Sequence, residues 1–184
     1  ARPQGWLVAA LLAVTLAFWL VGVRGDVLRP SAFAHPTWLA DAFLHGQLHL
    51  RHVPEVPADL APMAGRTYVV FGPLPAVLLM PVVAFRGLDT PDVLALIVTA
   101  LVGVWAFFEL LRARLGGEQP LLLSCATLTF ALGTAWHYGA PMGGVWLHTQ
   151  ITATTLQCLA LLAAARGRGR AAGVALALGV LTRP

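Results

Sequence analysis

Four polar side chains follow one another at helical spacing in the first third of the chain. Asp41, His45, His49 and His52 are separated by four, four and three residues. On one continuous helix they would share a face, and histidines at i and i+4 suit a divalent metal, so His45 and His49 are the pair such a metal would use. Gly46 falls between them, and glycine suits the end of a helix. Read that way, the four are the wetted side of a helix lying at an interface. Asp26, nine residues before His35, stands just past an apolar run. A carboxylate there could take the proton of an acceptor hydroxyl, or pair with Arg24 or Arg29 as a helix-end charge. Arg66 and Tyr68, in Gly65-Arg66-Thr67-Tyr68, precede Phe71-Gly72-Pro73-Leu74-Pro75. The guanidinium fork can hold a phosphate; equally, Arg66 can snorkel while Tyr68 joins an aromatic belt. His137-Tyr138 and Trp146-Leu147-His148-Thr149-Gln150 flank a glycine-rich turn, which suits a lined cavity or hydrogen bonds between helices. There is no phosphate-cradling glycine loop, nucleophile elbow or Cys-x-x-Cys pair.

The rest of the chain bounds what these groups can belong to. Of 184 residues, 58% are hydrophobic and 11% charged, and the mean hydropathy is +0.77. Soluble domains carry about 25% charged residues, and disordered chains are poor in apolar residues, so both classes are excluded in favour of a membrane protein. All 12 basic residues are arginine. They are scattered between apolar runs instead of clustered, which is the spacing of membrane-flanking charge and excludes a nucleic-acid partner. Cys125 and Cys158 lie in apolar runs and read as small core residues, not a disulfide framework.

A spanning helix needs about 20 mainly apolar residues. Six apolar segments approach that length, at 5–23, 68–85, 93–111, 121–136, 146–165 and 171–181. The expected fold is therefore all-α: a polytopic membrane helix bundle in one domain over 1–184. Its long loop, 24–67, holds Asp26, Asp41, Glu55, Asp59 and four histidines, and carries an amphipathic surface helix over Pro36 to Gly46. After that helix, His52 to Pro62 is proline-rich and reads as extended. The chain starts at Ala1 and stops at Thr182-Arg183-Pro184 directly after an apolar run, so it reads as the N-terminal part of a longer protein, truncated at both ends.

Orientation depends on the segment at 68–85, which carries Pro73, Pro75 and Pro81. With six plain crossings, the long loop shares a side with the arginine-rich loops 112–120 and 166–170, and the positive-inside rule puts all three in the cytoplasm. If 68–85 re-enters without crossing, the long loop lies outside and the two short loops remain inside.

The order of a first span, a long loop with a surface helix, a proline-broken second segment and closely spaced spans resembles the GT-C membrane glycosyltransferases. That group includes the protein O-mannosyltransferases and the lipid A aminoarabinose transferase. The carrying residues are Leu39-Ala-Asp-Ala-Phe-Leu-His-Gly46 with Gln47-Leu-His-Leu50, and Gly65-Arg-Thr-Tyr68 leading into Pro73-Leu-Pro75. Ala131-Leu-Gly-Thr134 to Gln150 and Gly179-Val-Leu-Thr-Arg-Pro184 complete them. The resemblance implies a bacterial inner-membrane, multi-pass enzyme of metal-independent chemistry. It would transfer a sugar from a polyprenyl-phosphate donor to a lipid, glycan or protein acceptor on the outer face. An acidic residue of the first outer loop activates the acceptor in these families, and a basic residue near the second segment binds the donor phosphate. The family's acidic pair is missing here: the chain reads Ser31-Ala32-Phe33-Ala34 at that place. The resemblance therefore leaves Asp26, Asp41 or His35 as the catalytic group, and Arg66, Tyr68, His148 and Arg183 as substrate-binding residues. A polytopic transporter or a non-catalytic membrane scaffold is the reading from another class.

Overall fold

The computed structural model describes residues 5–22, 27–54, 58–116 and 118–182. Eight α-helices and one β-hairpin are present among them. The first helix, α1 (Gly5–Gly22), is apolar along its whole length and is followed by the long loop. Helix α2 (His35–Leu44) starts with Pro36 in its first turn and stops before Gly46, whose φ of 69° suits glycine. It occupies the place expected of the surface helix, but it is largely buried, with Leu39, Ala40 and Ala42 turned inward.

The next segment departs from the all-α expectation. Leu60–Met63 (β1) and Arg66–Val69 (β2) form an antiparallel hairpin in which Met63 pairs with Arg66. Its two-residue turn places both Ala64 (φ 51°) and Gly65 (φ 74°) in the left-handed region, as the tight hairpin turn requires. The apolar segment expected over 68–85 is thereby divided: its first residues are strand, and α3 (Leu74–Arg86) begins only after Pro73. At 1.5 Å per residue, 13 residues reach about 20 Å, short of the ~30 Å hydrocarbon layer.

A 3-10 turn at Gly87–Asp89 leads into α4 (Asp92–Leu115), which closes on Gly116 in the left-handed conformation. The segment expected over 121–136 is a broken pair, α5 (Pro120–Leu132) and α6 (Ala135–Met142). Thr134 stands between them in extended backbone, and its hydroxyl oxygen accepts from the Trp136 N–H at 3.2 Å. Helix α7 (Val145–Ala165) and α8 (Gly169–Val180) complete the order.

Three bonds set the register of the bundle. Residues of α4 meet α7 and the residue that follows it at sequence separations of 56, 56 and 57: His148 Nε2 to the Asp92 carbonyl, Thr155 Oγ1 to the Thr99 carbonyl, and Arg166 to Glu109. A constant offset over five turns means that α4 and α7 run parallel, with α5 and α6 returning between them. Helix α1 runs antiparallel to α4, because Trp19 packs with Val93, Leu96 and Ile97 whereas Leu11 packs with Phe108. The end of α1 and the start of α4 therefore lie at one end of the bundle, so the segment joining them leaves and returns on the same side.

Helix α3 stays on that side. The Leu74 N–H donates to the Leu181 carbonyl at the end of α8, and Phe71 lies against Trp146 at the start of α7. The approach of Gly72 is close enough that a Cβ there would stand 2.3 Å from the Leu181 carbonyl oxygen. The two turns that follow α4 and α7 lie at the opposite end, joined through Glu109, Arg112 and Arg166. Among these helices, α1 and α4 are long and apolar enough to cross a membrane. Large apolar side chains also cover the outside of the bundle, including Phe18 and Val21 on α1, Phe85 on α3 and Val180 on α8. Exposed apolar patches of that extent mark interaction surfaces.

Candidate functional site

At the loop end, α3, the lead into α4 and the first turns of α4 and α7 line a cleft of about 410 Å³. Pro75, Leu79 and Val82 of α3 face Leu94 and Val98 of α4 across it, and His148 and Thr152 of α7 stand in its wall. His148 is buried, with Nε2 2.9 Å from the Asp92 carbonyl. That carbonyl can only accept, so Nε2 carries the proton and Nδ1 is left with a lone pair. Neither His148 Nδ1 nor Thr152 Oγ1 has a hydrogen-bond partner among the described residues.

Asp92 is the hinge of this arrangement. It is fully buried at the first residue of α4, where the helix dipole favours negative charge. Its carboxylate accepts from the Ser31 N–H at 2.7 Å and the Ser31 hydroxyl at 2.6 Å. Through one residue, then, the long loop and α7 are both tied to α4. Reasoning from residue types and spacing passes over Asp92. The signal for it is Thr90-Pro91-Asp92 directly before an apolar run, a proline followed by an acid in the first helical turn.

The residues expected to act fall into separate places. His35 is fully buried at the start of α2. Its Nδ1 lies 3.1 Å from the Phe33 carbonyl and its Nε2 2.8 Å from the Ala58 carbonyl, so both ring nitrogens are engaged with backbone. Phe33, Trp38 and Phe71 surround the ring. As placed, it ties the start of α2 to the lead into the hairpin. Asp41, on the same helix, points to the surface and meets Arg51 Nη1 at 3.1 and 3.2 Å. The same guanidinium nitrogen lies 3.0 and 3.1 Å from the two ring nitrogens of His45. His49 is turned to Tyr68, at a ring separation of 6.2 Å. The suggested metal pair is thus divided, one ring against arginine and the other against a phenol. Among the described residues no three His, Cys, Asp or Glu side chains converge as a metal ion would need.

Arg66 is exposed directly after the hairpin turn, and Tyr68 follows two residues on, so both belong to one face of the strand. The Leu50 N–H donates to the Thr67 carbonyl at 2.8 Å, holding the strand against the end of the α2 region. This places Tyr68 beside His49, which the chain spacing alone does not reveal. Asp26 and Arg183, expected as base and as second phosphate ligand, lie outside the described residues.

No protein-family model, no curated protein and no solved structure matches the chain.

Proposed function

We propose that the chain is the membrane part of a polytopic, multi-pass glycosyltransferase, working at the loop end on the outer face of a bacterial inner membrane. The donor in this reading is a polyprenyl-phosphate sugar, and the acceptor is a lipid, glycan or protein hydroxyl. The observation that carries it is the shared end of α1 and α4. The long polar segment sits opposite the two short turns, in or beside which stand Arg112, Arg114, Arg166, Arg168 and Arg170. Short arginine-rich connections stay in the cytoplasm, which directs the hairpin, α2 and the cleft outward.

The chemistry asks for few groups. The acceptor oxygen attacks the anomeric carbon, the bond to the lipid phosphate breaks, a carboxylate takes the hydroxyl proton, and cations hold the departing phosphate. Arg66, exposed on the hairpin beside Tyr68, is the phosphate ligand of this reading. Asp41 and Asp26 are its candidates for base. The apolar cleft beside α3 suits part of the donor's isoprenoid chain. Of the two acids in α4, Glu109 is bonded to Arg112 and Arg166 and Asp92 to Ser31, which leaves neither carboxylate free to carry a transported ion.

Two measurements test this. In a Cys125→Ser, Cys158→Ser background, Leu48→Cys should react with an impermeant maleimide from outside and Glu118→Cys only from inside; the reverse pattern removes the outer-face reading. In membranes supplied with a radiolabelled polyprenyl-phosphate hexose, Arg66→Ala should lower transfer on the order of tenfold to a hundredfold, as loss of a charge-assisted contact would. Transfer unaffected by Arg66→Ala, or absent from the parent protein, favours a scaffold.

A further inference from the structure

A second groove lies at the opposite end of the bundle, and its chemistry differs from that of the loop-end cleft. It has a volume of about 240 Å³ and runs between α7 and α8 below Trp105 of α4. Its wall is Leu159, Leu162 and Ala163 on one side and Ala171 and Ala175 on the other, and Arg166 and Arg168 stand at its end. The groove exists because α8 faces α7 with alanines: small side chains leave a furrow where leucines would fill it. No acid lines it. Glu109, the nearest carboxylate bonded to one of its arginines, is shared between Arg166 and Arg112, so two cations already offset its single charge. Arg168 and Arg170 add exposed positive charge within the same turn.

From this we infer that the groove binds an anionic glycerophospholipid. One acyl chain lies along Leu159, Leu162 and the α8 alanines, and the phosphodiester meets Arg166 and Arg168. An apolar furrow with arginines only at one end matches a molecule with one charged end and a long apolar body. Basic pockets between helices at a bilayer surface are suited to such headgroups. The site requires the bundle to lie in a bilayer, and it requires nothing of the outer-face chemistry. The two ideas therefore fail separately: loss of lipid binding leaves sugar transfer untouched as a hypothesis, and the reverse holds too.

Native mass spectrometry of the detergent-purified chain, titrated with phosphatidylglycerol or phosphatidylcholine of the same acyl chains, tests it. Phosphatidylglycerol should be retained preferentially, and Arg168→Gln should weaken its retention about fivefold, the effect of one arginine near an anionic headgroup. Ala171→Phe, at an exposed position of α8, fills the furrow without changing charge and should also lower retention. Circular dichroism melting confirms that both variants fold. Equal retention of the two lipids, retention unchanged in both variants, or displacement of the lipid by millimolar inorganic phosphate alone would overturn the inference.

Discussion

Gly103 sits where α4, α6 and α7 come closest, and replacing it measures how tightly the bundle is built. A Cβ at this position would stand 2.6 Å from Thr155 Oγ1 and 2.7 Å from Trp136 Cζ2. Neither neighbour retreats cheaply. Thr155 Oγ1 donates to the Thr99 carbonyl at 3.2 Å, and Trp136 is buried in the core with Ala140 and Ile151. Forcing carbon into such a contact costs typically about 1–3 kcal/mol. Exchanging glycine for alanine within a helix returns about 1 kcal/mol of propensity. Gly103→Ala should therefore lose about 1 kcal/mol net, and Gly103→Val, which adds two more carbons, about 3 kcal/mol. Unfolding in mixed SDS micelles, followed by circular dichroism, reads both. Gly173→Ala is the control, because a Cβ there meets nothing within 4 Å; it should be neutral or stabilising. Removing the partner atom should soften the clash, so Thr155→Ala and Gly103→Ala should couple by at least about 0.5 kcal/mol in a double-mutant cycle. If Gly103→Val is as stable as the parent, the parallel register of α4 and α7 is wrong.

Other outcomes follow from the same contacts. Asp92→Ala strands the Ser31 N–H and should cost about 1.5–3 kcal/mol, with Ser31→Ala costing less and the double variant little more than Asp92→Ala alone; thermal unfolding in detergent checks this. Glu109→Gln weakens the link between the ends of α4 and α7 by about 1–2 kcal/mol, since the arginines remain a third exposed and solvent-screened. Its readout is faster amide exchange in 109–116 and 162–170, and unchanged exchange there would contradict the bonding described. Ala64→Gly relieves a left-handed alanine and should stabilise the hairpin by about 1 kcal/mol, seen as slower exchange of the amides of 60–69.

Much of the helical framework is legible in the order of residues alone. Apolar runs of adequate length form helices because the backbone must bond to itself wherever water is absent, and α1, α4 and α7 lie close to the runs at 5–23, 93–111 and 146–165. Proline and glycine place the ends of α2 for the same local reason. The hairpin is less legible. Leu60 to Val69 contains Pro62 and an alanine at a turn position that usually selects asparagine or glycine, so the usual hairpin signal is weak there.

The candidate site divides along the same line. Residue types alone mark Asp41, His45, Arg66, Tyr68 and His148 as chemically able, because charge, phenol and imidazole are scarce in so apolar a chain. Which of them share a surface depends on distance between elements. The hairpin brings Tyr68 toward His49, the fold of α2 turns His35 inward against Ala58, and Asp92 gains its partners only because Ser31 returns to the start of α4. The path of the chain belongs to tertiary structure as well. Composition determined an apolar, mainly helical chain, because a helix bonds its own backbone and each segment meets that requirement by itself. That α3 stays on one side, and that α4 and α7 run parallel at an offset of 56 residues, was decided by contacts between segments, because no residue's own preference records which distant helix it will meet.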